Sequence, residues 1–259
     1  MSEIFLGIPS YKRPDAQPTL DMLLRFGVKP GKIIISVQTQ EDREAYQRYA
    51  DVAKVIYRSG KNKSENANHI LELLPNGSKL VLLDDDIKAI SCLTVDGRLR
   101  DLNTAEQFFS MLKVGFAVAR KHRAPGFGLY PVHNAFFMGH SYSPRNICIG
   151  TVLGLGVTKQ RFDTRFDVKE DYEYTASAIK KYGSFIRLNN FSPDAAHYTK
   201  GGCEASWKDG YTNGYCAGML CRRYPTIIKA NKSRMGEVKM AHPEKAIPYH
   251  WKYEGEARE

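Results

Sequence analysis

The sequence lacks any apolar run approaching the ~20 residues that cross a bilayer. Its start, Met1-Ser2-Glu3, has no basic stretch, and the apolar run from Ile4 to Ile8 is too short for a secretory leader. The expected compartment is therefore the cytoplasm, with no membrane partner. Cysteine is sparse: Cys92, Cys148, Cys203, Cys216 and Cys221 are scattered, odd in number and free of any CxxC. That pattern argues against a disulfide framework and a cysteine zinc site, and predicts buried reduced thiols. There is also no internal repeat, no low-complexity tract and no evident interdomain linker. What is present is 259 residues, 42% hydrophobic and 25% charged, an ordinary balance for one large or two small globular domains. The 38 Lys and Arg outnumber the 28 Asp and Glu, for a net charge of +10. Such a field attracts polyanions, whether nucleic acid, a nucleoside diphosphate or an anionic membrane surface.

The first 90 residues alternate two periodicities. Short β-branched or apolar runs occur at Ile4–Pro9, Ile33–Val37, Val52–Tyr57 and Lys79–Leu83. Between them, Thr19–Phe26, Glu41–Ala50 and Asn66–Leu74 carry apolar residues at helical spacing. Continuous apolar strands alternating with helices predict an α/β fold with a mostly parallel sheet covered on both faces. Farther on, Thr104–His122 and Lys169–Tyr182 read as helices, the latter stopped by Gly183, and Phe185–Leu188 as a strand. Residues from Asp194 onward are polar, basic and Gly-rich with weak periodicity. The expected organisation is a core over residues 1–200 and a C-terminal extension, 201–259, packing on or near the active site.

Three segments carry chemistry. Asp84-Asp85-Asp86 follows the fourth strand directly. Carboxyl ends of parallel strands are where ligands bind, and adjacent carboxylates repel unless a cation joins them. Oxygen-rich sites suit Mg²⁺ or Mn²⁺, and the plainer alternative is a polar strand end entering a turn. Lys169-Glu170-Asp171-Tyr172-Glu173 opens a helix. Acids there stabilise the helix dipole, and one facing a cleft can serve as a general base. Ser10-Tyr11-Lys12-Arg13-Pro14 and Arg58-Ser59-Gly60-Lys61-Asn62-Lys63 follow the first and third strands, so both converge on the edge that bears the aspartates. Cations and small residues at that edge can cradle a pyrophosphate.

In this order the segments resemble the family-2 type of nucleotide-sugar glycosyltransferases, whose fold is the Rossmann-like GT-A. The resemblance spans about residues 4 to 190. It rests on Ile8-Pro9-Ser10-Tyr11-Lys12-Arg13-Pro14, Ser59-Gly60-Lys61, Asn66-Ala67-Asn68, Leu82-Leu83-Asp84-Asp85-Asp86, Arg165-Phe166-Asp167, Glu170-Asp171-Tyr172-Glu173 and Lys181-Tyr182-Gly183. It implies a UDP-sugar donor, UDP-glucose favoured, and a Mn²⁺ or Mg²⁺ ion. Asp86 would bind the metal, with His197 as a further ligand and His242 second. Asp84 would sit near the ribose or the metal, and Asp85 could do either. Pro9, Ser10, Arg13, Arg58, Lys61 and Asn68 would line the nucleotide. Asp171, ahead of Glu170, would deprotonate the acceptor hydroxyl.

A narrower resemblance is to glucosyltransferases of DNA hypermodification. It rests on the LLDDDI run, the KEDYEY helix start and Gly201-Gly202-Cys203. It implies DNA as a partner and 5-hydroxymethylcytosine as acceptor, in keeping with the net charge. Arg222-Arg223-Tyr224 and the stretch from Lys229 to Arg234 would contact its backbone. Aromatics from Phe127 to Tyr142, with Trp207 and Tyr211, would receive a flipped base. The alternatives are a transferase with a protein or polysaccharide acceptor, and a non-catalytic nucleic-acid-binding protein. A nucleotidyltransferase would carry a Gly-rich run after the first strand, and Gly7-Ile8-Pro9-Ser10 supplies none.

Overall fold

The computed structural model describes residues 3–195, 210–249 and 251. The first half alternates as the periodicity requires: β1 (Ile4–Pro9), α1 (Pro18–Arg25), β2 (Ile33–Val37), α2 (Gln40–Tyr46), β3 (Lys54–Tyr57), α3 (Lys63–Leu73) and β4 (Lys79–Leu83). Local signals set the helix starts. Pro18 occupies the first turn of α1, where its missing N–H costs nothing. The side chain of Thr39 caps Asp42 N–H at α2, and that of Asn62 caps Glu65 N–H at α3.

Strands β1 to β4 pair in parallel, with Leu6 opposite Ile33 on one side and Val81 on the other. The sheet then continues through β9 (Val152–Gly156), β7 (Gly126–Leu129), β10 (Ile186–Leu188), β8 (Ser141–Ser143) and β14 (Ile247–Pro248). Its order is β14-β8-β10-β7-β9-β4-β1-β2-β3, and only β8 and β9 run against the other seven strands. A smaller antiparallel sheet follows the aspartate run. It joins β5 (Ile87–Leu93) to β6 (Leu99–Asp101) and β11 (Phe191–Ala195).

Strand alternation divides the core in two. Val81 and Leu83 face a cluster with Leu20 and Leu23 of α1 and with Phe108 and Leu112 of α4 (Ala105–Lys121). Leu80 and Leu82 face the opposite cluster, with Ile70 of α3 and Tyr174 and Ile179 of α5 (Glu170–Tyr182). The Phe127 ring lies so close to Gly115 and Gly154 that a Cβ at either position would overlap it.

The C-terminal segment is more regular than its weak periodicity suggests. It forms α6 (Gly210–Arg223) and a hairpin of β12 (Ile228–Ala230) with β13 (Val238–Met240). Cys216, Ala217 and Leu220 of α6 join the second core cluster, and β14 completes the edge of the main sheet. Glycines at 210, 214 and 218 hide this helix from a propensity reading. Among the described residues, no helix is long and apolar enough to cross a membrane.

Candidate active site

The site lies at the carboxyl edge of β1 and β4. After β1 the chain turns sharply at Lys12, whose φ of 53° is in the left-handed region, and whose N–H donates to the Asp42 carboxylate. This turn brings Arg13 back over the aspartate run. Its Nη1 lies 2.6 Å from Asp85 Oδ1 and 3.5 Å from Asp86 Oδ2. Ser10 Oγ donates to Asp85 Oδ2 at 2.5 Å, and the Tyr46 hydroxyl lies 2.6 Å from Ser10 Oγ. Gln17 Nε2 donates to Ser10 Oγ at 3.0 Å and to the Arg13 carbonyl at 2.9 Å. Burial pushes the Tyr46 phenol far up and keeps it a hydrogen-bond donor. α1 grips the same run: Thr19 Oγ1 donates to the Asp84 carbonyl and accepts Ile87 N–H at 2.9 Å.

The three aspartates have different environments. Asp85 is 7% exposed and held by Ser10 and Arg13. Burial raises its pKa, opposed by the Arg13 charge and the Ser10 hydrogen bond. Asp86 is pushed up to about 6 by burial and then by the charges of Asp84 and Asp85, against the pull of Arg13 and Lys63. Asp84 faces Lys63, whose Nζ stands 2.5 Å from Asp84 Oδ1 and 3.4 Å from Glu170 Oε1.

The opposite wall is the first turn of α5. Asp171 is buried, with Oδ2 accepting Gly150 N–H at 2.6 Å and Oδ1 accepting its neighbour Tyr172 N–H at 2.8 Å. Burial drives its carboxyl up, the Glu170 charge adds to this, and Lys63 opposes both. The Gly150 amide can come this near because glycine has no side chain: a Cβ there would lie only 2.9 Å from Asp171 Cβ. Pro9, Lys63, Asp84, Gly150, Glu170 and Asp171 line an open cleft.

The structure thus gathers Pro9, Ser10, Arg13, Asp84, Asp85, Asp86, Glu170 and Asp171 at one edge. Three other nucleotide candidates do not line the cleft. Arg58 is exposed and pairs with Glu72. Lys61 is exposed, and its backbone N–H donates to Glu65 Oε2 at 2.8 Å. Asn68 spends its amide on the Phe162 backbone, donating to the carbonyl at 2.9 Å and accepting the N–H at 2.8 Å. His197 lies outside the described residues, as do Trp207 and the Gly201-Gly202-Cys203 segment. His242 is exposed beyond the β12–β13 hairpin. Within the aromatic stretch Phe136 and Phe137 are exposed, while Phe127 and Tyr142 are buried in the core, and the Tyr224 hydroxyl donates to Glu173 in the protein interior. The three buried rings, Phe127, Tyr142 and Tyr224, are not placed to meet a base or a backbone phosphate.

Lys63 and Gly150 are the residues that sequence reasoning missed. Lys63 belongs to the basic turn after β3, and its role follows from helical phase. Asn62 caps α3, so Lys63 is the first helical residue and projects over the strand ends. Gly150 carries no signal of its own.

Among the described residues, no three His, Cys, Asp or Glu side chains converge as a ready-made metal cluster. The donor set nonetheless fits a hard divalent ion. Mg²⁺ and Mn²⁺ are commonly held by one or two carboxylates, with substrate phosphates and waters completing the shell. Asp84 and Asp86 supply such carboxylates at a crowded acidic strand end.

No protein-family model and no curated protein matches the chain. Solved structures do match. The S. aureus TarS fragment 1-349 aligns with a TM-score of 0.51 at 11% identity, covering 85% of this chain and 65% of that one. A longer TarS structure is covered over only 40% of its length, so this chain spans less than two thirds of either. Glucosyl-3-phosphoglycerate synthase from Mycobacterium tuberculosis, in complex with Mn²⁺, UDP and glucosyl-3-phosphoglycerate, aligns with a TM-score of 0.54 at 9% identity, covering 89% of this chain and 84% of that one. At such identities the likeness is one of architecture: the chain has the GT-A glycosyltransferase fold, a mostly parallel central sheet flanked by helices.

Proposed function

We propose that this chain is a glycosyltransferase that moves a hexose, glucose in its specific form, from a UDP-sugar to a hydroxyl acceptor, with Mn²⁺ or Mg²⁺ as cofactor. One observation carries the reading. Asp84 at the end of β4 and Glu170 at the start of α5 face each other across one cleft and share the Lys63 ammonium. A donor with an anionic diphosphate and a departing UDP needs such an edge: acidic where a divalent ion sits, cationic where phosphate oxygens sit. Solved structures of the same fold contain UDP with Mn²⁺ or Mg²⁺ and UDP-glucose with Mn²⁺, which supports this donor.

Asp86 and Asp84 would hold the ion, which when bound neutralises the diphosphate and stabilises the departing UDP. Asp85, buried against Ser10 and Arg13, fixes the backbone that presents its two neighbours. Lys63 exchanges its Asp84 partner for the diphosphate. Asp171 takes the proton of the acceptor hydroxyl as that oxygen bonds to the anomeric carbon and the carbon–UDP bond breaks, giving inversion. Glu170 keeps Lys63 over the cleft and is the second candidate for the base. Asn68 acts through the Phe162 segment.

For the acceptor, the reading is 5-hydroxymethylcytosine in DNA. The net charge of +10 supports it, because phosphate neutralisation dominates affinity for nucleic acid. The test is UDP release from UDP-glucose with Mn²⁺, comparing duplex DNA that contains 5-hydroxymethylcytosine with unmodified DNA. Release with the modified duplex alone supports donor and acceptor together. Slow release regardless of DNA retains the donor and moves the acceptor to a protein or polysaccharide. No release from any nucleotide-sugar contradicts the transferase reading.

A further inference from the structure

The outward face of α6 has an unusual make-up for a surface helix. Tyr211 and Tyr215, one turn apart, are 79% and 52% exposed. Their rings lie near-parallel, with 14° between planes and 6.3 Å between centroids. Gly214 and Gly218 share this face, where glycine is the poorest helix former after proline. Among the described residues nothing stands within 4 Å of where a Gly214 Cβ would be, so no packing contact calls for glycine there. The Arg222 guanidinium folds back over Gly218, 3.3 Å from its Cβ position.

A basic loop packs against the N-terminal half of the same helix. Asn231 to Glu237 connects the two hairpin strands, and Gly236 packs against the Asn213 side chain of α6. Lys232 and Arg234 are exposed on that loop. Residues 210 to 249 hold seven Lys and Arg against two Glu, half of the whole chain's net charge. The surface is also tied to the cleft. Glu237 Oε2 ends the loop 3.2 Å from Nζ of the buried Lys169, the residue preceding Glu170. Cys216, next to Tyr215, packs against the backbone of Asp167 and Val168.

We infer that the Tyr211–Tyr215 face of α6, with Lys232 and Arg234, is the acceptor-binding surface, and that it takes a nucleic-acid strand whose unstacked bases lie on the tyrosines. The inference rests on the proposed DNA acceptor and gives it a place on the molecule. Flat aromatic faces stack on any base, and neighbouring cations follow the phosphates. The exposed Gly214 lets the strand approach the helix backbone closely. A carbohydrate would also stack on tyrosine, but it has no use for this density of positive charge.

The test is fluorescence anisotropy with a labelled oligodeoxynucleotide over a salt series, beside calorimetric binding of Mn²⁺-UDP. Wild-type binding should weaken steeply with salt. The double variant Tyr211→Ala/Tyr215→Ala should weaken it about tenfold or more at unchanged salt slope. Lys232→Glu/Arg234→Glu should weaken it and flatten the slope by roughly 2. Both variants should bind Mn²⁺-UDP as wild type does. DNA affinity unchanged in both variants, or Tyr-dependent binding of a neutral oligosaccharide in place of DNA, would overturn the inference. Tyr-dependent DNA binding without any UDP binding would leave this surface standing and remove the transferase reading.

Discussion

The Lys63 ammonium lies 2.5 Å from the Asp84 carboxylate and holds the strand-end acids to the opposite wall of the cleft through Glu170. It is the cation placed between the two acidic segments, and it depresses the Asp171 pKa that burial and Glu170 raise.

Replacing Lys63 with Met should therefore act twice. UDP affinity should fall by about 1.5–3 kcal/mol, the usual worth of a hydrogen bond to a charged group. The acid limb of kcat/KM should also move to higher pH, because Lys63 favours ionised Asp171 and a general base works only when ionised. Titration calorimetry and a pH–rate profile read the two effects separately.

Asp86 gives a prediction that needs no turnover. Its folded pKa of about 6 lies above the ordinary aspartate value near 4. Between those values the folded protein keeps a proton that the unfolded chain has released. Stability of the metal-free protein should then fall as pH rises from about 4 to about 6. Asp86→Asn should raise the metal-free Tm at pH 7, by about 1–3 kcal/mol in stability. Mn²⁺ should stabilise the wild type above pH 6 and have little effect on the variant. Thermal melts across pH, with and without Mn²⁺, check both signs.

Asp171→Asn should keep donor binding and lose transfer by about 10²–10⁴-fold. Both carboxylate oxygens accept backbone N–H groups, so an amide NH₂ must face either Gly150 or Tyr172 N–H. That mismatch adds a stability loss of about 1–3 kcal/mol. A melt beside a UDP-binding isotherm distinguishes a lost base from a lost fold.

Asn68→Ala should behave as a structural variant. It removes two hydrogen bonds to the Phe162 backbone and leaves buried groups unsatisfied, for a loss of about 2–4 kcal/mol. The remaining folded fraction should turn over with kcat close to wild type. Cys148 should resist alkylation in the native protein, since full burial raises its thiol to about 12.

Much of this was legible in the sequence because it is written in periodicity. Continuous runs such as Ile33–Val37 have one use, a strand buried on both faces, and the acids after Leu83 fall where such strands end. Which cation serves the cleft was not legible. Arg58, Lys61 and Lys63 look alike in a basic turn, and only the Asn62 cap fixes the phase that turns Lys63 inward. Asn68 sits in a motif-like position, yet its partner lies 94 residues away. The α6 helix was masked by its glycines, whose low propensity is overridden by the packing of Cys216, Ala217 and Leu220.

Whether Asp86 couples a divalent ion to UDP is read by calorimetric titration of UDP into wild type and Asp86→Asn, each with and without Mn²⁺. UDP should bind wild type severalfold or more tightly with Mn²⁺, and Mn²⁺ should give no enhancement in the variant. A folded wild type that binds no UDP at any Mn²⁺ concentration, or a variant with the full Mn²⁺ enhancement, would contradict this coupling.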